Sequence, residues 1–375
     1  MLVAILLASS LAAPIKIGIV NSITGPEAPI GETMTNGYKL AAEDLKKKGI
    51  DLQLISEDDT GKPQIALSAL EKLVTRDEVS AIVGPYPSSS ANAMAKKAEQ
   101  SKIPLLVPAA SKEDITRQGY KWVFRTNAPS SEYSLVVLEA ALAQAKSKTI
   151  ALVYENTDFG TAAAKTMREQ AKARGLEIVA DESYSKGSPD YRSTLSQIKS
   201  KNPDLVFMVS YVADAILLMR QAREMGLSPK AFLGGGAGFT TNQFAEEHAI
   251  SENVMSSTQW TEDAKWPGAR EWGERYRKAF GKEATYHAAC AYESLRIMGE
   301  VAAAAGGDKA KIQAGLKAGK WSGILGDVQF ADYDGFTGQN KHDMLVVQVQ
   351  NGKYVTVAPP KFAAGKAVYP FPGWK

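Results

Sequence analysis

The 375-residue chain predicts an α/β protein in which parallel sheets flanked by helices form two successive units. Three observations carry this. Short apolar runs such as Val79–Val83 and Leu205–Ser210 alternate with stretches whose apolar residues recur every three to four positions, the pattern of strand followed by helix. The alternation pauses near Asn127–Pro129 and starts afresh at Thr149. Successive apolar runs stop abruptly at Gly or Pro and open into small hydroxyl residues: Ala81–Val83 leads to Ser88–Ser90, and Ile103–Val107 leads to Ser111. In open α/β sheets ligands bind outside the carboxyl ends of the strands, so these two loops mark a candidate site.

The elements follow in order. Ile15–Val20 reads as a strand, and Met34, Tyr38, Ala41, Ala42 and Leu45 form the apolar face of a helix ending at Gly49. Leu52–Ser56 is the next strand. A helix opens at Pro63, where proline's fixed φ suits the first turn, with Leu67, Leu70, Leu73 and Val74 inward. Val79–Val83, a helix over Ala91–Gln100 and Ile103–Val107 complete the first unit. The second runs Thr149–Tyr154, helix Gly160–Arg174, Ile178–Ala180, a helix around Leu195–Lys199, Leu205–Ser210, helix Ala213–Met225 and Ala231–Leu233. Trp266–Gly319 is mostly helical, and Val328–Phe330 and Met344–Val349 are late strands. The helical stretch is expected to return to the first unit, with crossings near Asn127–Ser130, Ser257–Trp260 and Gly335–Asn340. The expected division is residues 1–12 as a leader, 13–129 plus 259–337 as an N-terminal lobe, and 130–258 plus 338–375 as a C-terminal lobe.

Composition narrows the function classes. With 45% hydrophobic and 23% charged residues the chain is of ordinary globular type, long enough for two cores. The net charge of +3 arises from 44 basic and 41 acidic residues scattered along the chain, which gives no footprint for nucleic acid. Met1–Ala13 is apolar and ends in small residues, as in a secretory leader, and is too short to span a bilayer. Export to the periplasm is expected. The single cysteine, Cys290, allows no internal disulfide and lies far from the leader, so no lipid anchor is expected. Gly234–Gly238 follows a strand, but Phe239 stands where a dinucleotide fingerprint needs glycine. No phosphate-binding loop or nucleophile elbow is present, and His248, His287 and His342 lie in no ligand spacing. The acidic cluster Glu57–Asp59 is ordinary turn and capping chemistry. No enzyme, no metal and no cofactor is expected.

Ser88, Ser89 and Ser90 stand where a helix begins. Its unpaired N–H groups and positive dipole end suit a small anion such as a carboxylate, although serine there also serves ordinary capping.

The segments Ile15–Pro26, Asp58–Pro63, Ile82–Gly84 with Ser88–Ser90, Pro108–Ser111, Phe124–Thr126, Val153–Gly160, Arg220–Arg223 and Gly326–Phe330 resemble the leucine/isoleucine/valine-binding protein family, the type I solute-binding proteins of ABC importers. The resemblance covers nearly the whole chain after the leader. It implies a two-lobed Venus flytrap that closes on a ligand and docks on an inner-membrane ABC permease. It also implies that Ser88, Ser89, Ala109, Ala110 and Ser111 hold the ligand's carboxylate and ammonium on the first lobe. Phe159 and Tyr211 would contribute from the second lobe, and Ile30 and Tyr86 would wall the side-chain pocket. Amino-acid binders of the family offer the ammonium an acid from the loop after Leu233, where this chain has Gly236. Asp214, Glu155 or Asp158 are neighbouring substitutes. A second departure is Pro87, where the leucine-binding branch has a disulfide-forming cysteine. The expected ligand is a branched-chain or other apolar amino acid, with an aromatic or keto acid lacking the amine as the alternative. A ligand-sensing module for a signalling partner is the further alternative, and a monomer is expected.

Overall fold

The computed structural model describes residues 14–341 and 343–374. The leader expected over 1–12 therefore lies outside the described residues, as does His342.

Two mixed sheets of seven strands each organise the chain. The first is ordered Phe330–Tyr333, Phe336–Asn340, Val123–Arg125, Leu105–Val107, Ala81–Val83, Ile15–Asn21, Leu52–Asp58. The second is ordered Lys353–Ala358, Leu345–Gln350, Met255–Thr258, Ala231–Gly234, Leu205–Val209, Thr149–Glu155, Glu177–Tyr184. Six strands of the first sheet and five of the second run parallel, and one edge of each sheet is finished by antiparallel pairing. Ala81–Val83, Leu105–Val107 and Leu205–Val209 are buried along their whole length, which explains their unbroken apolar sequence: both faces are covered by helices. The helices Ala28–Lys47 and Tyr286–Ala304 pack on each other against the first sheet.

The structure shifts several expected boundaries. The third helix begins at Ser88 rather than Ala91, so the serines lie in its first turn. The strand expected over Ile178–Ala180 extends over Glu177–Tyr184. In the helix Pro63–Thr75 the buried positions are Ala66, Ala69, Leu70 and Leu73, while Leu67 and Val74 are half-buried. The strand Phe336–Asn340, unmarked by apolar alternation, pairs through Gln339 with Arg125 of the first sheet, and the expected division after residue 337 falls inside it. Gln339 and Asn340 of this strand hydrogen-bond in the interior to Arg125, Asn127 and Thr126 instead of packing as apolar residues.

The chain passes between the sheets after Val123–Arg125, after Met255–Thr258 and after Phe336–Asn340. Side chains knit the three crossings together. Gln259 donates to Asn127 Oδ1 and, at 2.5 Å, to the Tyr133 hydroxyl, while its Oε1 accepts from Ala128 N–H at 2.7 Å. Gln339 donates to the Asn127 carbonyl at 2.7 Å and accepts from Arg125 Nε at 2.6 Å. Burial lowers the Arg125 guanidinium from its usual range to about 10, so it stays charged at neutral pH. It also donates to the Lys112 carbonyl at 2.7 Å and to Thr116 Oγ1 at 2.7 Å. The same residue thus ties the loop after Leu105–Val107 to the third crossing.

Candidate functional site

Both first-lobe serine loops reach the carboxyl edge of the first sheet and face the second lobe. Pro87, in extended conformation, turns the chain from strand to helix and places Ser88 at the helix start. Ser111 N–H and Lys112 N–H each donate to Ser88 Oγ at 3.3 Å. Since that oxygen accepts twice and its proton has no acceptor among the described residues, the hydroxyl is left as a donor for an anion. Ser111 is held in turn by Ser130, whose hydroxyl donates to the Ser111 carbonyl at 3.0 Å and to its Oγ at 3.2 Å. The cradle therefore combines a helix N-terminus with the hydroxyls of Ser88 and Ser111, the first of them oriented by two loop amides.

The second lobe closes over it with aromatic rings. Phe159 follows Thr157, whose hydroxyl caps the helix Asp158–Ala173 by accepting from Phe159 N–H at 3.3 Å. Tyr211, the N-cap of the helix Val212–Glu224 two residues beyond the strand Leu205–Val209, lines the same cavity as Ser88. Burial drives this phenol well above its ordinary value, so it is neutral. Tyr211 lies 5.3 Å from Phe159 and 5.7 Å from Tyr86 between ring centroids. Tyr86, Ser88, Ala109, Ser111, Tyr133, Phe159, Tyr211, Ala237 and Tyr286 surround a cavity of about 10 Å³. That is room for about one water, so a solute of leucine or benzoate size enters only when the lobes part and the rings swing aside.

Six of the residues singled out in the sequence meet at this cavity: Tyr86, Ser88, Ala109, Ser111, Phe159 and Tyr211. Four do not. Ser89 is half-buried and does not line the cavity. Ala110 packs in the apolar core under the first sheet with Val107 and Ile115, because alternate residues of an extended segment face opposite sides. Ile30 is a core residue that also borders a larger cleft of about 870 Å³ bounded by Thr240–Glu246 and Thr258–Asp263. That cleft lies on the other side of Tyr286 and His287 and contains none of the cradle residues. Gly236 backs the cavity without lining it.

Gly236 has φ +81° and ψ −147°, a region open essentially to glycine alone. A Cβ there would stand 2.8 Å from Tyr133 Cε1. The missing acid is therefore a change of architecture: the Tyr133 ring fills the space into which a side chain at position 236 would project. Tyr133 and Tyr286 were not legible as site residues, since each lies in the first turn of a helix where no neighbouring residue marks a site.

Carboxyl groups do lie nearby, behind the aromatic wall. Glu155 is fully buried; its Oε1 accepts from Thr157 Oγ1 and its Oε2 has no hydrogen-bond partner among the described residues. Burial pushes it up to about 8, with Lys186 opposing and Glu27 and Asp214 reinforcing the shift. Glu27, from the first lobe, ion-pairs with Lys186 of the second. Lys186 Nζ sits 4.2 Å from the centre of the Tyr211 ring. A second pair crosses the cleft between Lys112 and Asp158 at 3.0 Å. Among the described residues no cluster of His, Cys, Asp or Glu is arranged to hold a metal ion. No described helix is long and apolar enough to cross a membrane.

Comparison with known proteins agrees with this architecture. The chain is 27% identical over 378 residues to Leu/Ile/Val-binding protein homolog 7 of Brucella suis biovar 1 (strain 1330), covering 94% of this chain and 93% of that one. The branched-chain amino acid transporter substrate-binding protein LivJ of Streptococcus pneumoniae, solved with isoleucine, superposes with a TM-score of 0.84 at 25% identity, covering 95% of this chain and all of that one. An ABC transporter solute-binding protein of R. palustris, solved with benzoate, superposes at 0.83 with 20% identity, covering 95% and 97% of the two chains. The family model for periplasmic binding proteins matches residues 14–353. This chain belongs to the periplasmic binding protein family.

Proposed function

We propose that the protein is the periplasmic receptor of an ABC importer for a small carboxylate that lacks an α-ammonium, an aromatic or branched keto acid being the class that fits best. The observation carrying this reading is the wall opposite the cradle. Tyr86, Tyr133, Phe159, Tyr211 and Tyr286 supply rings, none of the cavity's lining residues bears a carboxylate, and Gly236 cannot bear one. An ammonium buried without a carboxylate is costly, whereas a carboxylate meets donors from Ser88, Ser111 and the helix start. This reverses the order of ligands that the sequence favours. No covalent chemistry is involved: capture on the first lobe, closure of the second and presentation of the closed form to the permease make up the cycle.

The amino-acid reading keeps one observation in its favour, the unpartnered Oε2 of Glu155 behind Phe159, and LivJ shows that the fold holds isoleucine. Calorimetric titration of refolded, ligand-free protein with benzoate, phenylpyruvate, 4-methyl-2-oxopentanoate, leucine and phenylalanine decides between them. The des-amino acids are expected to bind and Ser88→Ala to weaken them at least tenfold. Binding of leucine or phenylalanine more tightly than their oxo acids would overturn the proposal.

A further inference from the structure

The edge of the cleft farthest from the crossings holds a charge arrangement that ligand recognition leaves unexplained. In both sheets the crossings lie toward one side, while Leu52–Asp58 and Glu177–Tyr184 are the opposite edges. Between these far edges, carboxyls of both lobes converge on one ammonium. Glu27, at the start of helix Ala28–Lys47, pairs with Lys186, on the loop after Glu177–Tyr184. Glu27 is only 1% exposed in this closed form, and its Oε2 has no hydrogen-bond partner among the described residues. From the second lobe the same lysine acts on Glu155, and Asp214 acts on both Glu27 and Glu155. Asp59 lies beyond Glu27 on the first, its Oδ1 accepting from Ser22 Oγ at 2.6 Å and Gly61 N–H at 2.9 Å. Asp214 also accepts from Gly187 N–H at 3.0 Å, which fixes the loop that carries Lys186. The ammonium covers the face of Tyr211, a ring that lines the cavity beside Ser88.

We propose that Lys186 is the counter-ion that permits closure: it enters between buried carboxylates of the two lobes and seats Tyr211 over the cavity. Without it, closing the mouth would bring Glu27 of one lobe against Glu155 and Asp214 of the other with no positive charge between them, and like charges desolvated together are strongly disfavoured. Lys186 is a positioning residue in this account, since it acts through Tyr211 and Glu27.

The dependence on pH has a defined sign. Burial raises the carboxyls of Glu27 and Glu155, so a closed form deprived of Lys186 is relieved as pH falls and they protonate. The phenols of Tyr184, Tyr191 and Tyr211, which border these acids, are raised and remain neutral throughout.

The test is small-angle scattering of the ligand-free protein at pH 8 and pH 5, for the wild type, Lys186→Met, Lys186→Arg and the double variant Glu27→Gln/Lys186→Met. Far-UV circular dichroism accompanies each to establish that the lobes are folded, and Lys186→Gln replaces Lys186→Met should the latter fail that check. The lysine variant is expected to shift the closed-to-open ratio at least tenfold toward open at pH 8, seen as a larger radius of gyration. It should return to the wild-type value at pH 5. The arginine variant should scatter like the wild type, and the double variant should recover part of the closure at pH 8. A Lys186→Met protein as compact as the wild type at pH 8, or one equally expanded at both pH values, overturns the proposal. So does a double variant as open as the single one, because Glu27 would then not be the opposing charge.

Discussion

Replacing Gly236 with alanine tests the geometry on which the ligand assignment rests. Two costs follow from the structure. A non-glycine residue at φ +81° and ψ −147° is strained by about 1–3 kcal/mol. The new methyl, 2.8 Å from Tyr133 Cε1 and 3.1 Å from Cδ1, must also push the ring aside. The Tyr133 hydroxyl then loses good geometry with Gln259 at 2.5 Å and Asn127 at 3.0 Å, at about 1 kcal/mol each. The sum is about 3–5 kcal/mol, which in a lobe of this size lowers the melting temperature by on the order of 10 °C. Differential scanning calorimetry measures it directly. The same change made in a Tyr133→Phe background should cost about 2 kcal/mol less, because the hydrogen-bond part is already gone. A Gly236→Ala protein melting within a degree of the wild type would refute the reasoning: the loop would then accept a side chain, and an acid at this position would be an ordinary substitution.

Other expectations follow from buried groups. Glu155 has a folded value near 8 against an ordinary 4.5, so the stability it allows is complete below about pH 4.5 and is lost as pH rises through 8. Glu155→Gln should therefore flatten the fall in melting temperature between pH 5 and 9, and a variant whose pH profile runs parallel to the wild type would contradict this. Burial pushes the Cys290 thiol far up and hides it completely, so a thiol reagent should modify it only on unfolding; rapid labelling of the native protein would be inconsistent with the helix packing described. His287 is pushed down to about 3 by burial, and its imidazole resonances should not titrate between pH 5 and 8.

The cradle was legible because its chemistry is local. A buried strand must end where its apolar run ends, and a helix starting within five residues of that end leaves free amides there, so Ser88 and Ser111 could be placed without knowledge of the rest. Phe159 and Tyr211 came from the resemblance to the family, and the structure sets both rings against the cradle. Tyr133 had no such mark. It reads as one more apolar position of helix Ser130–Gln144, and its place in the wall depends on the conformation of a loop a hundred residues later. Lys186 is equally plain in sequence, a lysine in a polar turn, and its significance comes from Glu27 on the opposite lobe.

By itself, then, the sequence determined the α/β class, the repeated unit and the serine loops at the strand ends, since hydrophobic periodicity and helix starts are properties of neighbouring residues. It also exposed the absence of an acid after Leu233. Only the tertiary structure decided what that absence means. Gly236 keeps a backbone conformation barred to other residues and yields its space to Tyr133, and the nearest buried carboxyls are drawn to Lys186 across the mouth of the cleft. Both decisions rest on contacts between residues far apart in the chain, whose distances no local pattern records.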